Sequence, residues 1–258
     1  MRSLLSRAAP LAVALSLLSA APALAERYVA LGDSYSSGVG TRTYLDAGAC
    51  KRSAYAYPSL LAAQRPNTQL TFVACSGAKT SDVLANQVAS LTASTALVTL
   101  TVGGNDIGFT DVVTACAKPD VNTCAQRVAT AQDAIRSTLP AKLNAVYAQI
   151  RSRSPSARVV VLGYPRLFAG VDCNAGTFFS KEDMTNLNAT ADLLRDTERT
   201  RATAYGFTFK DAIGAFTGHA VCQAEWLNGL SNPVAESYHP NRTGQASGYL
   251  PLVRSVFG

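Results

Sequence analysis

Short apolar runs that end in glycine-containing polar segments constrain the fold of this chain most strongly. They lie at residues 28–31, 70–75, 96–102 and 158–162, and a fifth candidate lies at residues 207–213. The runs are continuous rather than alternating, which is typical of strands that are buried on both faces. The segments between them have helical patterns, so the sequence predicts an α/β fold with a central parallel sheet covered by helices.

Four helical segments are predicted between and after these strands. They cover residues 80–91, 124–153, 180–205 and 243–256. Pro140 is expected to break or kink the second segment. Ser180 and Asp183 form a capping-box pattern at the start of the third, and Gly206 follows its end. No repeat or low-complexity linker divides the chain, so we expect one domain.

The first 25 residues have the pattern of a secretory signal peptide. Arg2 and Arg7 precede an apolar stretch at residues 8–21, and Ala23-Leu24-Ala25 is a small-x-small cleavage site. An uncleaved membrane anchor is the alternative, but the stretch is short for a membrane span, and no later run is long enough. We therefore expect a secreted, extracellular protein whose mature domain covers residues 26–258.

The charge distribution bears on the possible partners of the chain. The net charge is +6, but the basic residues form no dense cluster interleaved with aromatic residues, so no nucleic-acid partner is expected.

An even number of cysteines in an exported chain predicts three disulfides. Spacing alone leaves many pairings open, and we expect the sequential one. The expected pairs are Cys50–Cys75, Cys116–Cys124 and Cys173–Cys222.

A metal site is not expected at these cysteines. The chain has no Cys-x-x-Cys pair, and neither His219 nor His239 lies near a cysteine cluster in the sequence. No self-association motif is present, so a monomer is the default expectation.

The polar segments at the strand ends indicate where a site would form. They are Gly32-Asp33-Ser34, Ser76-Gly77 and Gly103-Gly104-Asn105-Asp106. Because the carboxyl ends of parallel strands meet at one edge of the sheet, these segments should lie close together.

Ser34 is the candidate nucleophile in this group. A serine at a strand-to-helix turn can project its hydroxyl into a cleft, although such a serine is also a common helix N-cap. The backbone N–H of Gly77 and the side-chain amide of Asn105 are candidate donors to an oxyanion, and turn formation is their alternative role. Asp33 and Asp106 either position the loops by hydrogen bonds or act as structural caps, and capping is the interpretation we favour.

The general base for such a serine would be a histidine. Only two are present: His219 lies in a Gly-His-Ala loop, whereas His239 lies just before the last helix with Glu236 three residues earlier. We therefore interpret His239 as the base.

In their order along the chain, Gly32-Asp33-Ser34-Tyr35, Gly77, Gly103-Gly104-Asn105-Asp106 and His239 resemble the SGNH or GDSL hydrolase family. The octapeptide from Leu31 to Gly38 and the six cysteines are most similar to its secreted bacterial lipase and phospholipase branch. The resemblance implies a flavodoxin-like three-layer α/β/α sandwich and no metal or cofactor. No Gly-x-Ser-x-Gly elbow of an α/β-hydrolase is present.

The resemblance also implies roles for individual residues. Ser34 would be the nucleophile and His239 the base. The N–H groups of Ser34 and Gly77 and the Asn105 side chain would form the oxyanion hole. Where the family often has Asp three residues before the histidine, this chain has Glu236, so two routes for orienting His239 stay open. One is the Glu236 carboxylate; the other is a backbone carbonyl, from Glu236 or from Ser237.

Lipid esters, including acylglycerols, fatty-acyl esters and phospholipids at a lipid–water interface, are the substrates that the branch resemblance implies. Acetylated polysaccharide is the alternative substrate class, and a binding protein with an idle site is a third hypothesis. A long apolar groove would favour lipid, and an open polar cleft would favour sugar. The candidates for lining such a groove are Phe109, Phe168, Phe178, Phe179 and Trp226.

Overall fold

The protein is described by a computed structural model that covers residues 25–258, apart from the side chain of Val121. The predicted signal peptide, residues 1–25, lies outside the described residues except for Ala25. Within residues 25–258, no helix is both long enough and apolar enough to cross a membrane.

The centre of the fold is a parallel sheet of five strands in the order β2-β1-β3-β4-β5. The strands are β1 (Glu26–Gly32), β2 (Thr68–Phe72), β3 (Thr95–Thr101), β4 (Arg158–Leu162) and β5 (Thr208–Lys210). In the register, Tyr28 lies opposite Leu70 of β2 and Leu97 of β3. The inner strands β1, β3 and β4 are almost wholly buried, which explains their continuous apolar sequences.

Helices cover both faces of this sheet. They are α1 (Ser34–Ser37), α2 (Tyr57–Ala63), α3 (Thr80–Asp82), α4 (Phe109–Cys116), α5 (Val121–Ser137), α6 (Leu139–Arg153), α7 (Lys181–Ala204), α8 (Ala212–Ala215) and α9 (Leu250–Phe257). One layer contains α2, α8 and α9, and the other contains α3, α5, α6 and α7, with α4 packed against α5. The predicted three-layer α/β/α sandwich with a parallel sheet is confirmed.

Some element boundaries differ from the sequence-based prediction. β2 ends at Phe72 rather than residue 75, because Val73 and Ala74 both donate to the carbonyl of Ala30 and the chain leaves the ladder. β5 ends at Lys210, because Asp211 caps the N-terminus of α8 through the N–H of Ile213. Helices α2 and α4 were not predicted.

Three helical predictions are modified rather than overturned. The segment 80–91 consists of α3 followed by a π-helical stretch, Val83–Gln87, and a 3-10 turn, Val88–Ser90. The segment 124–153 is two helices, and Pro140 lies in the first turn of α6, where a missing N–H is tolerated. The segment 243–256 consists of a π-helical stretch, Gly244–Tyr249, followed by α9. The capping box of Ser180 and Asp183 is present as predicted at the start of α7.

Three disulfides pair the cysteines sequentially, as Cys50–Cys75, Cys116–Cys124 and Cys173–Cys222. The first joins the loop after α1 to the segment after β2. The second joins the end of α4 to α5, and the third joins the loop before α7 to the loop after α8. The first and third therefore restrain connecting segments, the second links two helices, and none of the three lies in the sheet.

Candidate active site

The ends of three neighbouring strands open into one cavity of about 450 Å³. Ser34 follows β1, Gly77 follows β2 and Asn105 follows β3, and all three line this cavity. His239, which is 205 positions from Ser34, lines it too. The structure therefore brings together the residues that were singled out in the sequence.

Asp33, not Ser34, is the N-cap of α1. Its carboxylate accepts hydrogen bonds from the N–H of Tyr35 at 3.0 Å, from the hydroxyl of Thr101 at 2.7 Å and from the hydroxyl of Tyr164. The interpretation of Ser34 as an N-cap is therefore wrong. Since Asp33 supplies the cap, the Ser34 hydroxyl remains available to the cavity.

The imidazole of His239 links Ser34 to a backbone carbonyl. Its Nε2 lies 2.8 Å from Ser34 Oγ, and its Nδ1 lies 2.8 Å from the carbonyl oxygen of Ser237. A carbonyl can only accept, so Nδ1 carries the proton and Nε2 presents its lone pair to the serine hydroxyl. This is the tautomer that a general base requires.

Desolvation lowers the pKa of His239 to about 4, although the hydrogen bond to Ser237 and the nearby charge of Glu236 act in the opposite direction. The imidazole is therefore neutral at neutral pH, which keeps its lone pair available to accept the proton of Ser34.

Glu236 makes no hydrogen bond to His239. Its carboxylate accepts hydrogen bonds from the N–H of Gly40 at 2.7 Å and the hydroxyl of Tyr44 at 2.6 Å, and Lys51 Nζ lies 3.8 Å away. Its carbonyl accepts from Asn228 Nδ2 at 3.2 Å. The expectation that Glu236 itself orients His239, by carboxylate or carbonyl, is corrected. The carbonyl route remains, and it comes from Ser237.

Local backbone geometry explains this arrangement. Glu236 ends a short 3-10 turn, Val234–Glu236, and Tyr238 has a positive φ of 58°. The reversal at Tyr238 brings the Ser237 carbonyl back to the imidazole of His239. The Tyr35 hydroxyl also stabilises this loop, because it donates a hydrogen bond to the Tyr238 carbonyl at 2.7 Å.

Hydrogen bonds between the loops that carry Gly77 and Asn105 hold these two loops together. Asn105 Nδ2 donates to the carbonyl of Ala78 at 3.0 Å, and Asp106 accepts from the N–H and hydroxyl of Thr80. Gly77 has a φ of +77°, and the space where its Cβ would lie is open to 4 Å. These bonds join the loops after β2 and β3, so that both residues face the cavity with Ser34.

Sequence reasoning missed two residues of this arrangement, Tyr164 and the role of Tyr35, whereas the Ser237 carbonyl was one of the alternatives that it left open. In the sequence, Tyr164 is part of a Gly-Tyr-Pro segment after β4, and nothing there indicates that its hydroxyl donates a hydrogen bond to Asp33. Tyr35 belongs to the Gly-Asp-Ser-Tyr motif, but its contact with Tyr238 joins residues 203 positions apart.

Beyond Ser34 the cavity is mainly apolar. Its walls include Phe109 and Val113 of α4, Ala117 directly after that helix, and Ala191 and Leu194 of α7. Of the aromatic residues proposed for an acyl groove, Phe109 lines the cavity. The other four do not: Phe168 and Phe179 pack with Tyr238, Phe178 is exposed, and Trp226 stacks on His219.

Clusters with metal-ligating atoms in the described part of the chain are unsuited to a metal. Two groups bring such atoms together, one with Cys116, Cys124 and Asp183 and one with Cys173, Cys222 and Glu225. In both, the two sulfurs are joined in a disulfide and cannot act as thiolate ligands. Neither group lines the cavity that contains Ser34.

Comparison with known proteins identifies the family that the chain resembles over most of its length. A model of the GDSL-like lipase/acylhydrolase family matches residues 30–246. A lipase from Streptomyces rimosus is 46% identical over 256 residues, which covers 98% of this chain and 95% of that protein. Lipase 1 from Streptomyces coelicolor is 44% identical over the same length and covers 98% and 94%.

Solved structures agree with this result. The phospholipase A1 from Streptomyces albidoflavus NA297 superposes with a TM-score of 0.85 at 47% identity, covering 90% of this chain and 99% of that one. A carbohydrate esterase of family two from Clostridium thermocellum is 12% identical with a TM-score of 0.51 over 90% and 63% of the two chains. That second likeness shows a shared fold and carries no information about substrate.

Proposed function

Because the chain belongs to the GDSL-like lipase/acylhydrolase family, it is a lipid ester hydrolase, and we propose that Ser34 is its nucleophile and His239 its general base. One observation carries this assignment. The Ser34 hydroxyl lies 2.8 Å from the unprotonated Nε2 of a histidine whose Nδ1 proton is held by the Ser237 carbonyl. Activation of a serine requires this geometry.

Acylation follows from this geometry. As Ser34 Oγ attacks the ester carbonyl carbon, its proton passes to His239 Nε2, and the carbonyl oxygen becomes an oxyanion. The N–H groups of Ser34 and Gly77 and the amide of Asn105 stabilise that charge. Imidazolium then donates its proton to the alcohol oxygen as the bond to the acyl carbon breaks, which leaves an acyl-enzyme on Ser34.

Deacylation reverses the roles. His239 Nε2 takes a proton from water, whose oxygen attacks the acyl carbon, and the same donors stabilise the second oxyanion. The proton then returns to Ser34 Oγ, and the fatty acid leaves. Every proton in this cycle moves between Ser34, His239, water and the substrate.

The lining of the cavity supports a lipid ester rather than an acetylated sugar as the substrate. Away from Ser34, most of the wall surface is apolar, although Thr110, Thr114 and Thr190 line it beside the apolar side chains of α4 and α7, and Lys118 lies just after α4. A polysaccharide would leave its hydroxyl groups unpaired against such walls, whereas an acyl chain loses contact with water there.

Apolar side chains at the mouth fit a substrate presented at a lipid–water interface. Leu230 and Val234 line the cavity, yet they are 40% and 72% exposed. Phe178 is 59% exposed, and its N–H is bonded to Ala117 at the cavity wall. Exposed apolar residues grouped in this way commonly mark a binding surface.

Secretion is the second part of the proposal. The predicted signal peptide and three disulfides both fit an oxidising, extracellular location. The Streptomyces rimosus relative with a solved structure is described as an extracellular lipase. Expression of the full chain, with N-terminal sequencing of the medium fraction, tests this, and a mature N-terminus near Glu26 is expected.

A substrate panel tests the catalytic proposal. Wild type and Ser34→Ala are assayed with nitrophenyl esters, triacylglycerol, phosphatidylcholine and acetylated xylan, and Ser152→Ala on exposed α6 serves as a matched serine control. We expect turnover of lipid esters that is lost only in Ser34→Ala. Activity that survives in Ser34→Ala would overturn the nucleophile, and turnover of acetylated xylan alone would overturn the lipid substrate.

A further inference from the structure

Tyr164 lies between two turns of the candidate active site, the Ser34 turn (residues 32–34) and the Asn105 turn (residues 103–106). It follows β4, and its side chain is buried. Its hydroxyl donates a hydrogen bond to the carboxylate of Asp33 and accepts one from the N–H of Gly104 at 3.3 Å. One phenolic oxygen therefore joins the residue before the nucleophile to the residue before the oxyanion donor.

The direction of both hydrogen bonds is fixed. Burial, together with the nearby charge of Asp33, raises the pKa of the Tyr164 phenol well above its usual value, so the phenol keeps its proton. An N–H can only donate, so Gly104 takes a lone pair of the phenolic oxygen and the phenolic proton goes to Asp33. A phenyl ring in the same place would satisfy neither turn.

The ring of Tyr164 also fits against both turns. The position where Gly104 would carry a Cβ lies 3.3 Å from Tyr164 Cζ, so a larger residue there would press on the ring. The ring packs against Tyr35 with centroids 5.0 Å apart and planes at 79°. Tyr35 in turn donates to the carbonyl of Tyr238, the residue before His239. Since Tyr164→Phe keeps the ring, it removes the two hydrogen bonds alone.

Two other hydrogen bonds of the Asn105 turn lead elsewhere. Asn105 Nδ2 donates to the carbonyl of Ala78 at 3.0 Å, and Asp106 accepts from the N–H of Thr80 at 2.9 Å. Both bonds join this turn to the loop after β2. The Tyr164 hydroxyl instead joins it to the Ser34 turn.

We propose that Tyr164 is a positioning residue of the oxyanion hole, whose hydroxyl fixes the separation between Ser34 and Asn105. The inference rests on the proposed function, because it takes these two residues as partners in one transition state. The Asn105 amide stabilises an oxyanion only if it lies within hydrogen-bond distance of the oxygen that becomes charged as Ser34 attacks. A displacement of about 1 Å in such an arrangement can cost about 10²-fold in rate.

A double-mutant cycle tests this inference. Values of kcat and KM for nitrophenyl butyrate are measured for wild type, Tyr164→Phe, Asn105→Ala and the double variant, with Ser34→Ala as the background. Tyr28→Phe is the matched control, because the buried Tyr28 hydroxyl shares a hydrogen bond of 2.7 Å with Thr99 inside the sheet and does not line the cavity. Melting temperatures show whether each variant is folded.

Tyr164→Phe should lower kcat about 10- to 100-fold and leave KM within about twofold. In the Asn105→Ala background the same change should lower kcat by less than about threefold, because the donor that Tyr164 positions is already absent. Tyr28→Phe should lower the melting temperature by a few degrees and keep the wild-type kcat.

An unchanged kcat in folded Tyr164→Phe would overturn the inference, and so would an equal loss of kcat in both backgrounds. A loss of kcat in Tyr28→Phe as large as that in Tyr164→Phe would also overturn it, since any buried tyrosine hydroxyl would then have the same effect. These results leave the proposed function intact, because the result that contradicts the nucleophile is activity surviving in Ser34→Ala.

Discussion

Glu236 lies three residues before His239, yet its carboxylate turns away from the imidazole to the N–H of Gly40 and the hydroxyl of Tyr44. The acid at this position therefore joins the loop after α1 to the loop that carries His239. The proton on His239 Nδ1 is held by the Ser237 carbonyl instead, 2.8 Å away. A serine and a histidine oriented by the backbone are sufficient for the proposed chemistry.

Glu236→Gln should therefore lower kcat by less than about tenfold, whereas loss of a carboxylate that orients the histidine costs about 10⁴-fold in a serine triad. The amide keeps an acceptor for Tyr44 but loses the attraction to Lys51, so the melting temperature should fall by a few degrees. Steady-state kinetics and thermal unfolding measure the two effects. A loss of several orders of magnitude in kcat, with the fold intact, would instead identify a true triad acid.

The fall of kcat/KM at acidic pH should reflect the protonation of His239. Because desolvation lowers the pKa of His239 to about 4, the imidazole stays neutral as the pH falls from 7 to about 5. Below about pH 4 it becomes protonated, and kcat/KM should fall about tenfold per pH unit. Intrinsic fluorescence at each pH separates this limb from acid unfolding. An inflection near 6.5 in the folded enzyme would contradict a desolvated histidine.

Asn105→Ala should lower kcat by about 10²- to 10³-fold with a small change in KM, since an oxyanion donor acts mainly in the transition state. The variant also loses the bond to the Ala78 carbonyl, so thermal unfolding must show that the loop after β2 is retained. Asn67→Ala, in an exposed turn before β2, is the matched control and should keep wild-type kcat. A tenfold rise in KM at constant kcat would argue that Asn105 binds substrate rather than an oxyanion.

Glu198 predicts an unusual dependence of stability on pH. Its side chain is fully buried, and neither carboxyl oxygen has a hydrogen-bond partner among the described residues. Burial, with the nearby Asp33 charge, raises the pKa of Glu198 well above its usual value. The folded state therefore holds a proton that the unfolded chain releases above about pH 4.5, and stability is lost as the pH rises.

Glu198→Gln removes this titration while keeping the shape of the side chain. Its melting temperature should match wild type near pH 4.5 and exceed it by several degrees at pH 8. Thermal unfolding across this pH range compares the two slopes. Parallel curves for wild type and variant would show that Glu198 does not change its protonation on unfolding.

Most of the fold could be predicted from the sequence because its signals are local. The continuous apolar runs of β1, β3 and β4 reflect burial on both faces, and their polar-glycine ends mark one edge of a parallel sheet. The start of α7 was equally clear, since the capping box of Ser180 and Asp183 involves residues three positions apart. Helices α2 and α4 were missed because they are short and their apolar faces are set by the elements on which they pack.

By itself, the sequence identified candidates for the nucleophile, the base and the oxyanion donors, because each role requires a particular residue type in a recognisable segment. Only the tertiary structure decided how His239 is oriented, since the alternatives were a carboxylate and carbonyls within a few residues of each other. The interpretation of Asp33 as a structural cap was correct, whereas only the tertiary structure showed that α4 and α7 line the same cavity. These features depend on contacts between distant segments and on backbone groups common to every residue. They therefore cannot be recognised from the residue types along the chain.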